Sequence, residues 1–281
     1  MKINIVGYGK LGSEVEAAAI ARNINIDTII DPKFKTDAHI KSNAIMAFNL
    51  FSVSLMPGVK TLISIDATEP KTAFKNIEHY CDNKMPCVMC TTGEWRNSME
   101  QVDKMARDAG IGIVHQTNFS TKVHIVMLAN MLISAMLNDL SGFDIGMVEG
   151  HHPYKKDASG TGGVMCEDII KAGYFGKVKY LTKLNDDRGL DPDEMMMATQ
   201  RLAGIVGHHE ITWTDDARDG STHNDTIKLS HTAMNRSGFA NGALDAALYL
   251  AKTKAVGLID YRTVVMKRFE PLIMQALCHM K

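Results

Sequence analysis

The sequence predicts an α/β fold in two parts, a doubly wound parallel sheet followed by an α+β domain whose sheet is mixed or antiparallel. Three observations carry this. Short apolar runs alternate with helix-period stripes from Lys2 to Gln116, a glycine-rich turn sits between the first strand and the first helix, and β-branched, period-two stretches gather between Ile205 and Met234.

"KINIVGYGKLG" is an apolar strand entering a turn, and Leu11, Val15, Ala18 and Ala19 then form a helical stripe that ends in a second strand, "IDTIID". Further strands are "TLISID", "MPCVMC" and "IGIVHQ"; between the last two, Met99, Val102, Met105, Ala106 and Ala109 recur at helix spacing. After Asn118 the texture changes. A long apolar helix covers Val123 to Leu137, "FDIGMVEGHH" is another strand, and "IVGHHEITWTDD" with "DTIKLSHTAM" suggests an antiparallel pair. The final residues read as helix, most clearly in "FANGALDAALYLAK", and are expected to pack back on the first domain. The expected division is 1–121 plus about 237–281 for a dinucleotide-binding domain, and 122–236 for a substrate-binding and oligomerisation domain.

Composition narrows the function. At 281 residues and 45% hydrophobic content the chain can bury two cores, and 31 basic against 32 acidic residues leave no long-range field to draw nucleic acid or an anionic membrane. A small-molecule partner is the expectation. No basic segment precedes an apolar stretch at the start and no uninterrupted apolar run approaches about 18 residues, so a cytoplasmic protein is expected. Five cysteines, an odd number, suit free thiols in a reducing compartment; Cys87 and Cys90, three apart on a strand, point to opposite faces and read as packing rather than a metal pair.

Gly7, Gly9 and Gly12 form G-x-G-x-x-G with Tyr8, Lys10 and Leu11 between them, the pattern that lets a helix N-terminus meet a pyrophosphate. A tight strand-to-helix turn also needs glycine on steric grounds alone. Asp31, 24 residues after Gly7, stands where a carboxylate would accept hydrogen bonds from ribose hydroxyls, or where a strand simply ends before Pro32. Lys10, Lys33 and Lys35 could meet a 2′-phosphate, so either NADH or NADPH is expected. "CTTG", with Cys90, Thr91 and Thr92, and "TNFS", with Asn118 and Phe119, follow strands at the carboxyl ends where ligands bind in open α/β sheets; each could equally be an ordinary polar turn.

In "EGHHPYKKDASGTGGVMCEDII", His151, His152, Lys155 and Lys156 precede Ser159, Gly160 and Thr161, which open a helix. The unpaired amides of that helix start would receive a carboxylate, with Ser159 or Thr161 as cap, while histidine and lysine supply proton transfer. A solvated loop with a charge run is the competing reading.

This segment is similar to the signature E-x-H-H-x-x-K-x-D-A-P-S-G-T-A of the 4-hydroxy-tetrahydrodipicolinate (dihydrodipicolinate) reductase family. The glycine turn, "IDATEP", "TTG", "NFS", "RLAGIVGHH" and "HTAMNRSGFANGALDAALYL" resemble further blocks of that family in the same order, across nearly the whole chain. The resemblance implies a Rossmann-like first domain and hydride transfer from NAD(P)H to a cyclic imine or enamine dicarboxylate formed from 4-hydroxy-tetrahydrodipicolinate, in lysine and diaminopimelate synthesis. It implies acid/base and proton-donor roles for His151 and Lys155. His152, Ser159, Gly160 and Thr161 would hold the substrate carboxylates. Gly7 to Gly12, Asp31, Cys90, Thr91, Thr92, Asn118 and Phe119 would line the cofactor site. A homotetramer and hinge closure over the substrate are implied too. The chain departs from the pattern where Ala158 runs directly into Ser159 without the family's proline, at Lys122 and His124 after "NFS", in a shorter opening turn and at Ala67. A related imine reductase, an amino-acid dehydrogenase or a non-catalytic NAD(P)-binding protein would keep the same skeleton.

Other residues are read as structural. His208 and His209 cannot both join His231 in a metal shell from one strand, so no metal is expected. The many methionines read as helix-spaced core filling, and Arg236 fits a functional or a structural role equally.

Overall fold

The computed structural model describes residues 1–33, 39–41, 44–47, 62–140, 143–173, 176–184, 188–215 and 225–279; Lys35 lies outside them. In chain order the elements begin with β1 (Lys2–Val6), α1 (Lys10–Ala21), β2 (Asn25–Ile30), β3 (His39–Lys41), β4 (Ala44–Ala47), β5 (Leu62–Asp66), α2 (Pro70–Asp82), β6 (Cys87–Met89), α3 (Met99–Ala109) and β7 (Gly112–His115). Next come α4 (Thr121–Asn138), β8 (Phe143–His151), α5 (Gly160–Lys171), β9 (Lys179–Leu181), β10 (Glu194–Arg201), β11 (Gly207–Asp215) and β12 (Thr226–Ala233). The chain closes with α6 (Ser237–Thr253), β13 (Gly257–Asp260) and α7 (Tyr261–His279). Two compact units result, Met1–Thr121 with Arg236–Lys281, and Lys122–Asn235.

In the first unit the strand order is β13-β7-β6-β5-β1-β2-β4-β3, all pairs parallel except β3 with β4. Helices cover both faces of such a sheet, so its strands are apolar throughout rather than alternating. Ile3, Ile5, Ile63, Ile65, Val88 and Ile113 are accordingly buried. The register aligns the strand ends: Val6 pairs with Ile30 and Asp66, Asp66 with Met89, and Met89 with His115. The residues that leave these strands, Gly7, Asp31, Ala67, Cys90 and Gln116, therefore emerge on one rim.

The second unit is a mixed sheet, β12-β11-β8-β10-β9, in which β11 runs antiparallel to β8 and β12 while β10 runs parallel to β8 and β9. α4 and α5 cover it, with Val123, Met127, Met165 and Ile169 meeting Ile145, Met147, Met195, Met197, Ile211 and Trp213. Among the described residues α4 is the one helix long and apolar enough to cross a membrane by length and composition. Its buried side carries Asn130 and Ser134, and Asn130 Nδ2 donates to the Met165 carbonyl at 3.0 Å, which is the chemistry of a core helix.

Two elements differ from the sequence-based expectation. Met195, Met196 and Met197 lie on strand β10, with Met195 and Met197 buried and Met196 less so, a period of two rather than helix spacing. Unbranched methionine has little intrinsic strand preference, so packing between β8 and β9 decides its conformation. The C-terminal segment contains a strand, β13, which extends the parallel sheet beyond β7; its four residues are too short to show a period.

α6 packs on α1 and across β5, β6 and β7. Its closest approach is at Gly242, where a Cβ would fall 1.5 Å from the Phe119 carbonyl oxygen. Gly242→Ala is therefore expected to force backbone apart and cost at least about 1–3 kcal/mol. Urea unfolding of the full chain measures this, and a loss under about 0.5 kcal/mol would contradict the packing.

Candidate active site

The rim of the first unit separates glycines that packing requires from one that it does not. A Cβ on Gly7, where φ is +88°, would meet the Ala67 oxygen at 2.5 Å, and one on Gly12 would meet the Gly7 oxygen at 2.1 Å. The fold itself requires these two. Gly9, the N-cap of α1, differs: among the described residues a Cβ there would meet nothing within 4 Å. The first-turn amides of α1, from Lys10, Leu11 and Gly12, follow directly on this glycine. A dinucleotide pyrophosphate fits this arrangement.

Asp31 braces the turn, since Oδ2 accepts from the Tyr8 amide at 2.6 Å and Oδ1 from the Lys33 amide at 2.9 Å. Lys33 stands 4.3 Å over the Tyr8 ring and donates to the Tyr8 carbonyl. The neighbouring strand ends are gathered by Asp66, a fully buried carboxylate. It accepts from the Thr68 amide at 3.1 Å, the Thr68 hydroxyl at 2.6 Å, Asn76 Nδ2 and the Tyr80 hydroxyl at 2.8 Å, and Thr91 Oγ1 at 2.8 Å. Thr91 is thereby committed to Asp66, Thr92 is exposed, and burial pushes the Cys90 thiol well up, so it stays protonated at neutral pH. Asn118 Oδ1 accepts from the Ser120 amide at 2.8 Å. The Phe119 ring packs on Tyr261 with centroids 4.9 Å apart, so its side chain belongs to the core.

In the second unit β8 ends at His151, and residues 152–159 form the irregular passage to α5. Along one face of β8 run Ile145, Met147, Glu149 and His151, apolar at first and ionisable at the end. The Glu149 carboxylate is fully buried; it accepts from His151 Nδ1 at 2.5 Å, Arg201 Nη2 at 2.9 Å and Thr199 Oγ1 at 3.1 Å. Burial acts to raise the Glu149 pKa, but the Arg201 and His151 hydrogen bonds outweigh it and hold the group below its ordinary range. Burial lowers the His151 pKa, and Lys155 and Arg201 lower it further against the opposing pull of Glu149. With Nδ1 donating to Glu149, Nε2 is the exchangeable nitrogen.

Ser159 is the N-cap of α5: its Oγ accepts from the Gly162 amide at 3.1 Å and shares a 2.8 Å hydrogen bond with His209 Nε2. The Gly160 and Thr161 amides lie at the helix start, and among the described residues a Cβ on Gly160 would meet nothing within 4 Å. His209 is buried, packs edge-on to His151 with ring centroids 5.6 Å apart, and has its pKa lowered by burial to about 3. The Nδ1 atoms of His152 and His209 have no hydrogen-bond partner among the described residues. His209 pairs with His231 across β11 and β12, while His208 faces the other way and bonds Thr232 at 2.8 Å. Arg236 precedes α6 as its N-cap.

Three residues of this arrangement are absent from the sequence-based candidates. Glu149 stands in the motif, and its two-residue spacing from His151 on a strand is the signal that could find it. Asp66 ends a predicted strand in the same way. Nothing local points to Arg201, because its place beside Glu149 depends on the β8–β10 register, which pairs His151 with Arg201.

Comparison with known proteins gives a consistent result. Residues 1–119 match the family model described as dihydrodipicolinate reductase, N-terminus, and residues 122–265 match dihydrodipicolinate reductase, C-terminus. The 4-hydroxy-tetrahydrodipicolinate reductase of Christiangramia forsetii is 28% identical over 251 residues, covering 89% of this chain and 92% of that protein. Its namesake from Alkaliphilus oremlandii is 33% identical over 190 residues, 67% of this chain and 73% of that one. Among solved structures, a dipicolinate-bound dihydrodipicolinate reductase from Paenisporosarcina sp. TG-14 superposes with a TM-score of 0.70 at 20% identity, over 92% of this chain and 97% of that one.

The geometry makes two outcomes testable. Gly9→Ala should leave the urea midpoint near that of the parent while weakening NADH and NADPH binding at least about tenfold, or about 1.4 kcal/mol, whereas Gly12→Ala should lose stability. Equal destabilisation by both would remove the distinction. His209, held at about 3, and His115, lowered by burial to about 4, sit below the unfolded value of 6.5, so the stability they confer is complete above about pH 6.5 and is lost as pH falls toward those values. At pH 5 each should cost about 2 kcal/mol. His209→Gln should reduce the slope of unfolding free energy against pH between 6.5 and 4, and an unchanged slope would count against its burial.

Proposed function

Since this chain belongs to the dihydrodipicolinate reductase family, we propose that His151 and Lys155 carry the proton chemistry of its reaction on a dicarboxylate held at the start of α5. The chain is an NAD(P)H-dependent oxidoreductase that reduces 4-hydroxy-tetrahydrodipicolinate to tetrahydrodipicolinate and water, a step of lysine and diaminopimelate synthesis.

The observation that carries the assignment of roles is the His151 ring held by a buried carboxylate on Nδ1, beside Lys155 and ahead of a helix N-terminus. Gly160 and Thr161 donate their amides to a substrate carboxylate, assisted by the α5 dipole. Ser159, whose hydroxyl is committed to capping and to His209, shapes this cradle, and the unpartnered Nδ1 of His152 offers a further polar contact. Exchange at His151 Nε2, together with the Lys155 ammonium, lets a proton be given to one substrate atom while another receives hydride.

When bound, the dinucleotide supplies that hydride. Gly7, Tyr8, Gly9, Lys10, Leu11 and Gly12 would take its pyrophosphate. Asp31 would keep its remaining lone pairs for the ribose, and the strand ends at Cys90, Thr91, Thr92, Asn118 and Phe119 would shape the rest of the site. Lys10 and Lys33, together with Asp31, favour use of both NADH and NADPH. The first unit is thus the cofactor domain and the second the substrate and assembly domain of a cytoplasmic homotetramer.

A coupled assay tests this directly. The purified protein should oxidise NADH and NADPH when the upstream synthase supplies fresh substrate, and His151→Gln or Lys155→Ala should lose roughly 10²–10⁴-fold in kcat with cofactor affinity unchanged. Full turnover by both variants would sink the assignment.

A further inference from the structure

Resting on the reading of His151 and Lys155 as the proton-handling pair, we propose that Glu149 and Arg201 are positioning residues for both. The buried Glu149 carboxylate fixes the His151 ring, and the Arg201 guanidinium, clamped on Glu149, holds the loop that carries Lys155.

All three guanidinium nitrogens donate. Nη2 donates to Glu149 Oε1 at 2.9 Å and to the Asp157 carbonyl at 2.9 Å, Nε donates to the Lys155 carbonyl at 3.0 Å, and Nη1 donates to the Gln200 carbonyl at 2.8 Å. Residues 152–158 belong to no strand or helix, and most of them are exposed. Within that loop the Lys155 amide donates to the His152 carbonyl at 3.1 Å, and at its base the Leu202 amide donates to the His151 carbonyl at 2.9 Å. Arg201 thus ties the middle of this loop to the sheet. Its planar fork spreads these donors over separate nitrogens in fixed directions, whereas an ammonium donates from a single point.

Glu149 joins this clamp to the imidazole. The same face of β8 is apolar at Ile145 and Met147, and an apolar residue at 149 would continue the core without taking a charge out of water. What the carboxylate adds is orientation. It holds Nδ1 as a donor and leaves Nε2 exchangeable, and Gly207 keeps that side clear, since a Cβ there would lie 3.4 Å from Nε2. The charged and titratable groups facing the ring are Glu149 on its own strand, Lys155 on the following loop, Arg201 on β10 and His209 on β11.

Glu149→Gln and Arg201→Lys in the full chain test the proposal. Glu149→Gln should lower kcat by about 100-fold, leave NADH and NADPH affinity unchanged, and shift the His151 titration, followed by NMR, to lower pH because the carboxylate that raises it is gone. Arg201→Lys keeps the charge and loses the fork; kcat should fall at least about tenfold, with no further fall when combined with Lys155→Ala. Glu149→Gln should likewise add nothing to His151→Gln. The proposal is overturned by a folded Glu149→Gln with kcat within about threefold of the parent and an unmoved His151 titration. Losses that multiply in the double variants would overturn it too, as would loss of folding in both single variants, which would assign the pair to stability alone. Full turnover by His151→Gln and Lys155→Ala would instead reject the underlying roles, and the NMR titration would still report whether Glu149 holds the ring.

Discussion

A carboxylate removed from water must be met by donors inside the protein, and each unit is organised around one that is. In the first, Asp66 ends β5 with its oxygens on Thr68, Asn76, Tyr80 and Thr91, joining a helix and two strand-end turns to one buried charge. In the second, Glu149 lies near the end of β8 with its oxygens on His151, Thr199 and Arg201. Neither charge improves on an apolar side chain as core filling. Both fix the geometry of groups that come from distant parts of the chain and converge at a strand end.

The two helix N-termini that face ligands in the proposed mechanism share a second device. Around Gly9 and around Gly160 the neighbouring glycines are demanded by packing: Gly7 and Gly12 meet backbone, and a Cβ on Gly162 would lie 2.8 Å from the Met197 sulfur. Gly9 and Gly160 themselves meet nothing. A glycine the fold does not need, placed at a helix start, leaves room for an anion to approach the backbone. The same contrast tempers the glycine motif, since two of its three glycines are explained without any ligand.

Histidine chemistry in the second unit depends on contrast. His209 is buried, bonded to a neutral hydroxyl and held neutral, whereas His151 shares its Nδ1 with a carboxylate and lies between opposing influences from Glu149, Lys155 and Arg201. Similar rings, packed edge to face, are thus given different proton affinities by what touches them. His209 packs against the His151 ring and, through Ser159, shapes the start of α5.

Much of this was legible in the sequence. The alternation of strand and helix, the glycine turn with Asp31 at the next strand end, and the run from His151 to Thr161 stem from periodicity and from local chemistry, which depend on residues a few positions apart. Glu149 was within reach, two residues from His151 on a strand. The sequence could not show that Met195 to Met197 would lie on a strand, that Thr91 would be committed to Asp66, that the Phe119 ring would be spent on Tyr261, or that Arg201 would reach back to the loop of Lys155. Each depends on which strands lie side by side and in what register. That choice is made by burial of whole faces and by pairing between segments tens of residues apart, so it leaves no mark in the local sequence. The sequence by itself determined the fold class and which side chains bear the chemistry; the tertiary structure decided what holds them.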